Sequence, residues 1–172
     1  RWYRLNFSML WHDGRVDAWL ATATDIDELH QAIRKARESE DFVRLAAEAA
    51  QLGVYSFDLE TREHIWSPEL KAIVGLDADA LAPADIFDLI HPEDRERVRS
   101  SRSASFDPSG QGVFQDEHRI VRADGTVRWV LVKGRVSFLG DGTARKPKRG
   151  VGFVLDITER KVAEGALEQS EE

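Results

Sequence analysis

The chain has 172 residues, 42% of them hydrophobic and 32% charged, which leaves room for one ordinary soluble domain plus extensions. It has no cysteine, which excludes disulfides, thiolate metal sites and cysteine nucleophiles and fits a reducing cytoplasm, and its net charge of −7 argues against a nucleic-acid surface. No apolar run approaches the roughly 18 residues of a membrane span, and the opening Arg1-Trp2-Tyr3 is neither an initiator methionine nor a leader, so an excised fragment without membrane contact is expected.

Two strand-like runs come first, residues 2–10 and 16–23, joined by a turn at His12-Asp13-Gly14. Their apolar face, with Trp2, Trp11 and Trp19 among its residues, is expected to find cover on another copy of the chain, since a lone hairpin is marginal in water. Residues 26–51 read as helix. Ile26, Leu29, Ile33 and Ala36 alternate three and four apart, a seam for a partner helix that predicts a homodimer. Leu45, Ala49 and Leu52 continue the stripe, and Gly53 supplies the stop.

Residues 54–59 alternate as a strand, and a turn at Thr61-Arg62-Glu63 leads into His64-Ile65-Trp66. Ser67-Pro68 opens a helix, with Ser67 as N-cap and Pro68 in the first helical position, and Gly75 closes it after Val74. Pro83 opens a piece carrying Ile86, Leu89 and Ile90, and His91-Pro92-Glu93-Asp94 opens a further helix. After Asp107-Pro108-Ser109-Gly110 the pattern turns to strands at 113–122, 126–139 and 149–156, the first two joined at Ala123-Asp124-Gly125. The basic run Arg145-Lys146-Pro147-Lys148-Arg149 is expected as a solvated hairpin loop. The strand at 127–136 is apolar on both faces, so one face should meet the core and the other helix 41–51 or a partner subunit. The order gives an α+β fold, a five-stranded antiparallel sheet with short helices on one face and helices at both ends.

The chain also repeats itself. Arg1-Trp2 recurs as Arg128-Trp129, Asp13-Gly14 as Asp141-Gly142, and Asp25-Ile26-Asp27-Glu28 as Asp156-Ile157-Thr158-Glu159. From there the register is constant, Ala32 matching Ala163, Ser39 matching Ser170 and Glu40 matching Glu171. This predicts that residues 1–25 are the closing hairpin of a preceding domain, 26–40 a linker helix, 41–157 a complete domain and 158–172 an exit helix toward a probable next one. At each strand–helix junction an acid precedes another by three, so Asp156 with Glu159, and Asp25 with Glu28, are expected as capping boxes.

The five histidines, His12, His30, His64, His91 and His118, show no i, i+4 pair, so no metal site is expected. There is no P-loop, nucleophile elbow, kinase signature or Gly-rich dinucleotide turn, so no catalytic residue is assigned.

Taken together, Trp66-Ser67-Pro68-Glu69-Leu70, His91-Pro92-Glu93-Asp94, Arg122-Ala123-Asp124-Gly125 leading into Arg128-Trp129, and Asp156-Ile157-Thr158-Glu159-Arg160 resemble the PAS family, in the subgroup common in sensor kinases and with its PAC-type closing segment. The resemblance implies a sheet cupping a small cavity, with output through helices entering and leaving the domain. Tyr55, Phe57, Trp66, Leu70, Ile73, Ile86, Leu89, Ile90, Phe114, His118, Ile120 and Trp129 become candidates to line that cavity, although the same residues would equally fill a plain core. Asp156, Ile157, Thr158 and Glu159, with Asp25 and Glu28, become candidates to relay strain into the helices, beside their plain role as caps. Covalent flavin and a cinnamate thioester each need a cysteine, and residues 93–106 lack the histidine of the haem-binding members, so these three are disfavoured. Noncovalent flavin, stacked on Trp66 and Trp129, stays open. His91 is read as a cap on the preceding turn. The expected role is a signal-input or relay module of a multidomain protein, a histidine kinase first and a diguanylate cyclase second, whose partners are neighbouring PAS and output domains and a small-molecule ligand. The alternative is a structural dimerisation spacer with no ligand.

Overall fold

Two separate antiparallel sheets organise the chain, in a computed structural model that describes residues 1–13, 15–83, 85–141 and 144–170. Gly14, Gly142 and Glu171, three positions of the sequence repeat, lie outside the described residues. The chain divides into two compact units, Arg1–Ala46 and Ala47–Glu172.

In the first unit β1 (Tyr3–His12) and β2 (Arg15–Asp25) form a two-stranded hairpin, and α1 (Asp27–Ala49) begins directly after it. Trp2 closes the junction twice: its carbonyl accepts the Ile26 N–H, and its ring stacks on His30 with centroids 4.6 Å apart. Strand alternation puts Tyr3, Leu5, Phe7 and Met9 on one face with Trp11 and Trp19, whereas Trp2 lies on the other. The three tryptophans therefore do not share a face, a correction that follows from the odd spacing between Trp2 and Trp11. Leu29 and Ile33 of α1 are exposed, as a seam awaiting a partner would be.

The second unit holds β3 (Gly53–Asp58), β4 (His64–Trp66), β5 (Val113–Val121), β6 (Val127–Leu139) and β7 (Lys146–Asp156), ordered β4-β3-β7-β6-β5. α2 (Pro68–Val74), two 3-10 turns (Ile86–Leu89 and Pro92–Asp94) and α3 (Arg95–Ala104) cover the inner face, and α4 (Thr158–Ser170) leaves from the end of β7. α2 starts as the sequence dictates: the Ser67 hydroxyl accepts the Leu70 N–H, and Gly75 closes the helix at φ 77°, a left-handed conformation that favours glycine. The Arg122 guanidinium then donates to the carbonyls of Ile73 and Ala72, tying the end of α2 to the sheet.

The core is assembled from Leu70, Ile73 and Val74 of α2, Val98 of α3, Ile90, and the inward residues of β5, β6 and β7. On the outer face Val54, Ile65, Val113, Val127 and Val151 stay exposed. The sheet is apolar on both sides, as expected, and the first turn of α4 covers part of the outer side at Trp129.

Two expectations need correction. β7 begins at Lys146, so most of the basic run is strand; Arg145 alone of it lies outside, donating to the carbonyls of Pro108 and Gly110 with its guanidinium over the Phe138 ring. His91 caps the turn that follows it, its Nδ1 accepting the Glu93 N–H, because Pro92 at the next position cannot donate.

The register gives the repeat a physical form. β1 pairs with β2 from Tyr3↔Asp25 to His12↔Arg15, and β6 with β7 from Val130↔Asp156 to Leu139↔Lys146. Every pair of the first hairpin has its counterpart in the second, and both ladders slip at the equivalent place, between Leu10 and Trp11 and between Ser137 and Phe138. A shared bulge in a shared register is a property of the backbone and not of composition.

Candidate functional site

Glycines make the floor of the inner face. Strand alternation turns Gly134 of β6 and Gly150 and Gly152 of β7 inward, where side chains would otherwise stand. A Cβ at Gly134 or Gly152 would overlap the Tyr55 hydroxyl, and one at Gly150 would overlap the Phe57 ring. The two rings of β3 therefore lie flat against the sheet instead of standing on it.

Between this floor and the helices is a cavity of about 80 Å³. Its wall is hydrocarbon apart from Tyr55, His64, Trp66, Arg102 and His118. Burial pushes the Tyr55 phenol up, opposed by the neighbouring Arg102 charge, and desolvation pushes the Arg102 guanidinium down. His118 is buried in the wall, its Nδ1 3.2 Å from Asp116 Oδ1, and Arg97 holds the other Asp116 oxygen at 2.7 Å. Desolvation lowers the His118 pKa, and Asp116 opposes it.

Below the 3-10 turns, Asp94 accepts from the Arg119 backbone and guanidinium, which holds its carboxyl at about 2. Arg119 also reaches Glu93, so the strand β5 is clamped to the start of α3.

On the outer side the exit junction repeats the first one. The Trp129 carbonyl accepts the Ile157 N–H, and the Lys161 ammonium lies 5.5 Å from the Trp129 ring centroid. Glu117, next to His118 on β5, takes Lys161 at 2.9 Å and also Arg160. The Thr158 hydroxyl accepts the Trp129 N–H.

Of the sequence candidates, Tyr55, Phe57, Trp66, Leu70, Ile86, Leu89, Ile90, Phe114, His118 and Ile120 line the cavity together. Ile73 does not: Leu70 and Val74, four apart, take the cavity face of α2, and Ile73 is buried beside them. Trp129 does not either, because its neighbour Val130 points inward and Trp129 must point out. Trp66 and Trp129 thus stand on opposite faces of the sheet and cannot stack on one flavin. The capping boxes are corrected too. Asp156 accepts the Thr158 N–H and hydroxyl, and Asp25 accepts the Asp27 N–H, each two residues on, because both helices begin at once and a short carboxylate meets the nearest donor. Among the described residues neither Glu159 nor Glu28 returns a bond to its aspartate. Sequence reasoning missed Arg102 and Val98, although their spacing of four on one helix, with Val98 apolar, marks a common face.

The family model described as the PAS fold matches residues 63–152, more than half of the chain. The chain belongs to the PAS fold family. The PAS sheet and helices are similar to those of a sensory box histidine kinase/response regulator from Burkholderia thailandensis E264, with 31% identity and a TM-score of 0.62 over 75% of this chain and 94% of that one. Among curated proteins, the PAS chain is 35% identical over 134 residues to a blue-light-activated histidine kinase of Brucella anthropi, covering 77% of this chain and 26% of the relative. It is 31% identical over 131 residues to the sensor protein FixL of Bradyrhizobium diazoefficiens, covering 74% and 25%. The chain spans about a quarter or less of the length of the curated relatives it matches.

Proposed function

We propose that this PAS chain is the sensing and relay segment of a multidomain signalling protein, in which the state of the cavity biases the helices that lead to an output domain. One observation carries the reading. On β5, His118 forms cavity wall while its neighbour Glu117 grips Lys161 and Arg160 of α4, so any shift of the strand is felt on both sides. Interactions in one contiguous network are the physical means by which two sites couple.

The segment acts as a regulatory module and not as an enzyme in its own right. The names of its relatives support a histidine kinase as the parent, ahead of a diguanylate cyclase. No helix among the described residues is long and apolar enough to cross a membrane, and a cytoplasmic site of action is part of the proposal.

The shared register of the two hairpins supports the domain layout: residues 1–25 closing a preceding PAS unit, 26–40 linking, 41–157 a complete unit and 158–172 leading onward. In the parent, Tyr3, Leu5, Phe7 and Met9 would face that unit's core; in the isolated chain a second copy would cover them. A homodimer joined through Leu29 and Ile33 of α1 fits the same exposure.

Native mass spectrometry of the purified chain tests both parts at once. A dimer that carries a small molecule supports the sensing reading. A dimer that stays free of ligand and is indifferent to added small molecules would leave a structural spacer in its place, and a monomer at high concentration would remove the dimer.

A further inference from the structure

Arg102 differs from the other arginines of α3. Arg95 donates to the carbonyls of Ile90 and Asp88, Arg97 pairs with Asp116, and Arg99 stands 3.6 Å from Glu96. Among the described residues Arg102 has no carboxylate and no carbonyl to receive its guanidinium, which stands 5.6 Å from the centroid of the Phe57 ring. It lines the cavity and also an open recess outside it, formed with Arg62, His64, Ala82 and Pro83. The guanidinium therefore occupies the doorway between the cavity and solvent.

The nearby acids are already engaged. Asp58, on the recess, accepts from the N–H groups of Glu60 and Thr61, and Asp85 accepts from Phe87. Asp85 attracts Arg102 through space but makes no hydrogen bond to it. A cation held half out of water without a hydrogen-bonded counter-charge is costly, and the group that best relieves a guanidinium is a carboxylate received by two parallel hydrogen bonds. The Tyr55 hydroxyl, close enough to interact electrostatically with Arg102, adds one more donor on the cavity side. Apart from His64, Trp66 and His118, the remainder of the wall offers hydrocarbon to the other end of such a ligand. Size limits it: about 80 Å³ is well below the ~300 Å³ at which pockets for drug-sized molecules begin, so the ligand has few heavy atoms.

We propose that the cavity takes a short-chain monocarboxylate, its carboxylate on Arg102 and the Tyr55 hydroxyl and its hydrocarbon end among Val98, Ile120 and Val132. The inference names the ligand class for the sensory reading above and rests on it. An inorganic anion would leave the apolar wall unused, and a neutral alcohol would leave the guanidinium unpaired.

The test is a titration of the chain with sodium propionate at constant ionic strength, followed by NMR shifts and by melting temperature, with 1-propanol and sodium sulfate as comparisons. Propionate is expected to bind saturably and raise the melting temperature. Arg102→Gln should weaken it by about tenfold or more, as loss of a charged hydrogen bond does, while Arg99→Gln leaves it unchanged. Arg102→Lys, which keeps the charge but not the planar fork, should fall between, and circular dichroism establishes that each variant is folded. Equal binding of propanol, equal binding of sulfate, an unaffected Arg102→Gln variant, or no saturable binding would each overturn the proposal. Hydrogen exchange in α4 separates this from the relay. Propionate binding that depends on Arg102 but leaves α4 unchanged would sustain the ligand and remove the relay. A different small molecule that shifts α4 while carboxylates do not bind would do the reverse.

Discussion

Lys161 sits over the Trp129 ring, and four residues into the other strand–helix junction His30 sits over Trp2 in the same way. At both junctions the tryptophan carbonyl accepts the N–H of an isoleucine, Ile157 or Ile26, and an aspartate two residues before the helix receives its first free N–H. The junction is thus a repeated unit in which strand end, helix start and indole are held by bonds of three different kinds.

Replacing Asp156 with alanine removes the acceptor for the Thr158 N–H and hydroxyl. The expected cost is about 1 kcal/mol, the usual loss for a helix-start acceptor, read by urea denaturation. In a full-length parent, the response to stimulus should fall further than that loss of stability explains. A response equal to wild type would leave Asp156 a cap and nothing more.

Gly150→Ala should cost about 1–3 kcal/mol, because its Cβ overlaps the Phe57 ring, which must move to receive it. Shortening the ring in the double variant Gly150→Ala/Phe57→Leu should recover part of that loss. Strictly additive single and double variants would show that the two residues do not press on each other.

Much of this was legible beforehand. Ser67, Pro68 and Gly75 fix α2 by local chemistry, and period-two alternation marks the strands. The cavity wall was less legible, because alternation says that Trp129 and Val130 face opposite ways but not which of them faces in. That choice is set by which face of the sheet α2 and α3 cover, a long-range contact. Arg102 escaped for a related reason: a charged residue on a short helix reads as solvated, and only the fold reveals that it lines the cavity with no acid bonded to it. The glycine floor was invisible as such, since Gly134, Gly150 and Gly152 carry ordinary backbone angles and matter only because Tyr55 and Phe57 lie across them.

Strong acid should act through Asp94. Its carboxyl ionises at about 2 in the fold against an ordinary 3.8, chiefly because Arg119 hydrogen-bonds the charged form. Its contribution is full above pH 3.8 and is lost as pH falls toward 2, so Asp94→Asn should cost about 2 kcal/mol at neutral pH and flatten the acid limb of the stability curve. An unchanged acid limb in that variant would contradict the clamp.

His118 gives a second, separate pH dependence. Burial lowers its pKa below the ordinary 6.5 despite Asp116, with Arg97 acting in the same direction as burial. The unfolded chain therefore binds a proton near pH 6.5 that the folded chain still refuses, and stability rises with pH across the window below 6.5 and levels off above it. His118→Gln should remove that slope, measured by denaturant midpoints from pH 5 to 8; a slope that persists would assign it elsewhere.

The relay itself is most directly tested by amide hydrogen exchange in α4 when the cavity is overfilled. Val132→Phe places a ring in the cavity from β6 without touching Glu117, Trp129 or the exit helix. The account predicts that exchange at the start of α4 changes by about fivefold or more, the effect of ~1 kcal/mol of coupling, and that adding Glu117→Gln largely abolishes the difference. Exchange in α4 identical to wild type, in a Val132→Phe variant that remains folded and perturbed around the cavity, would contradict it.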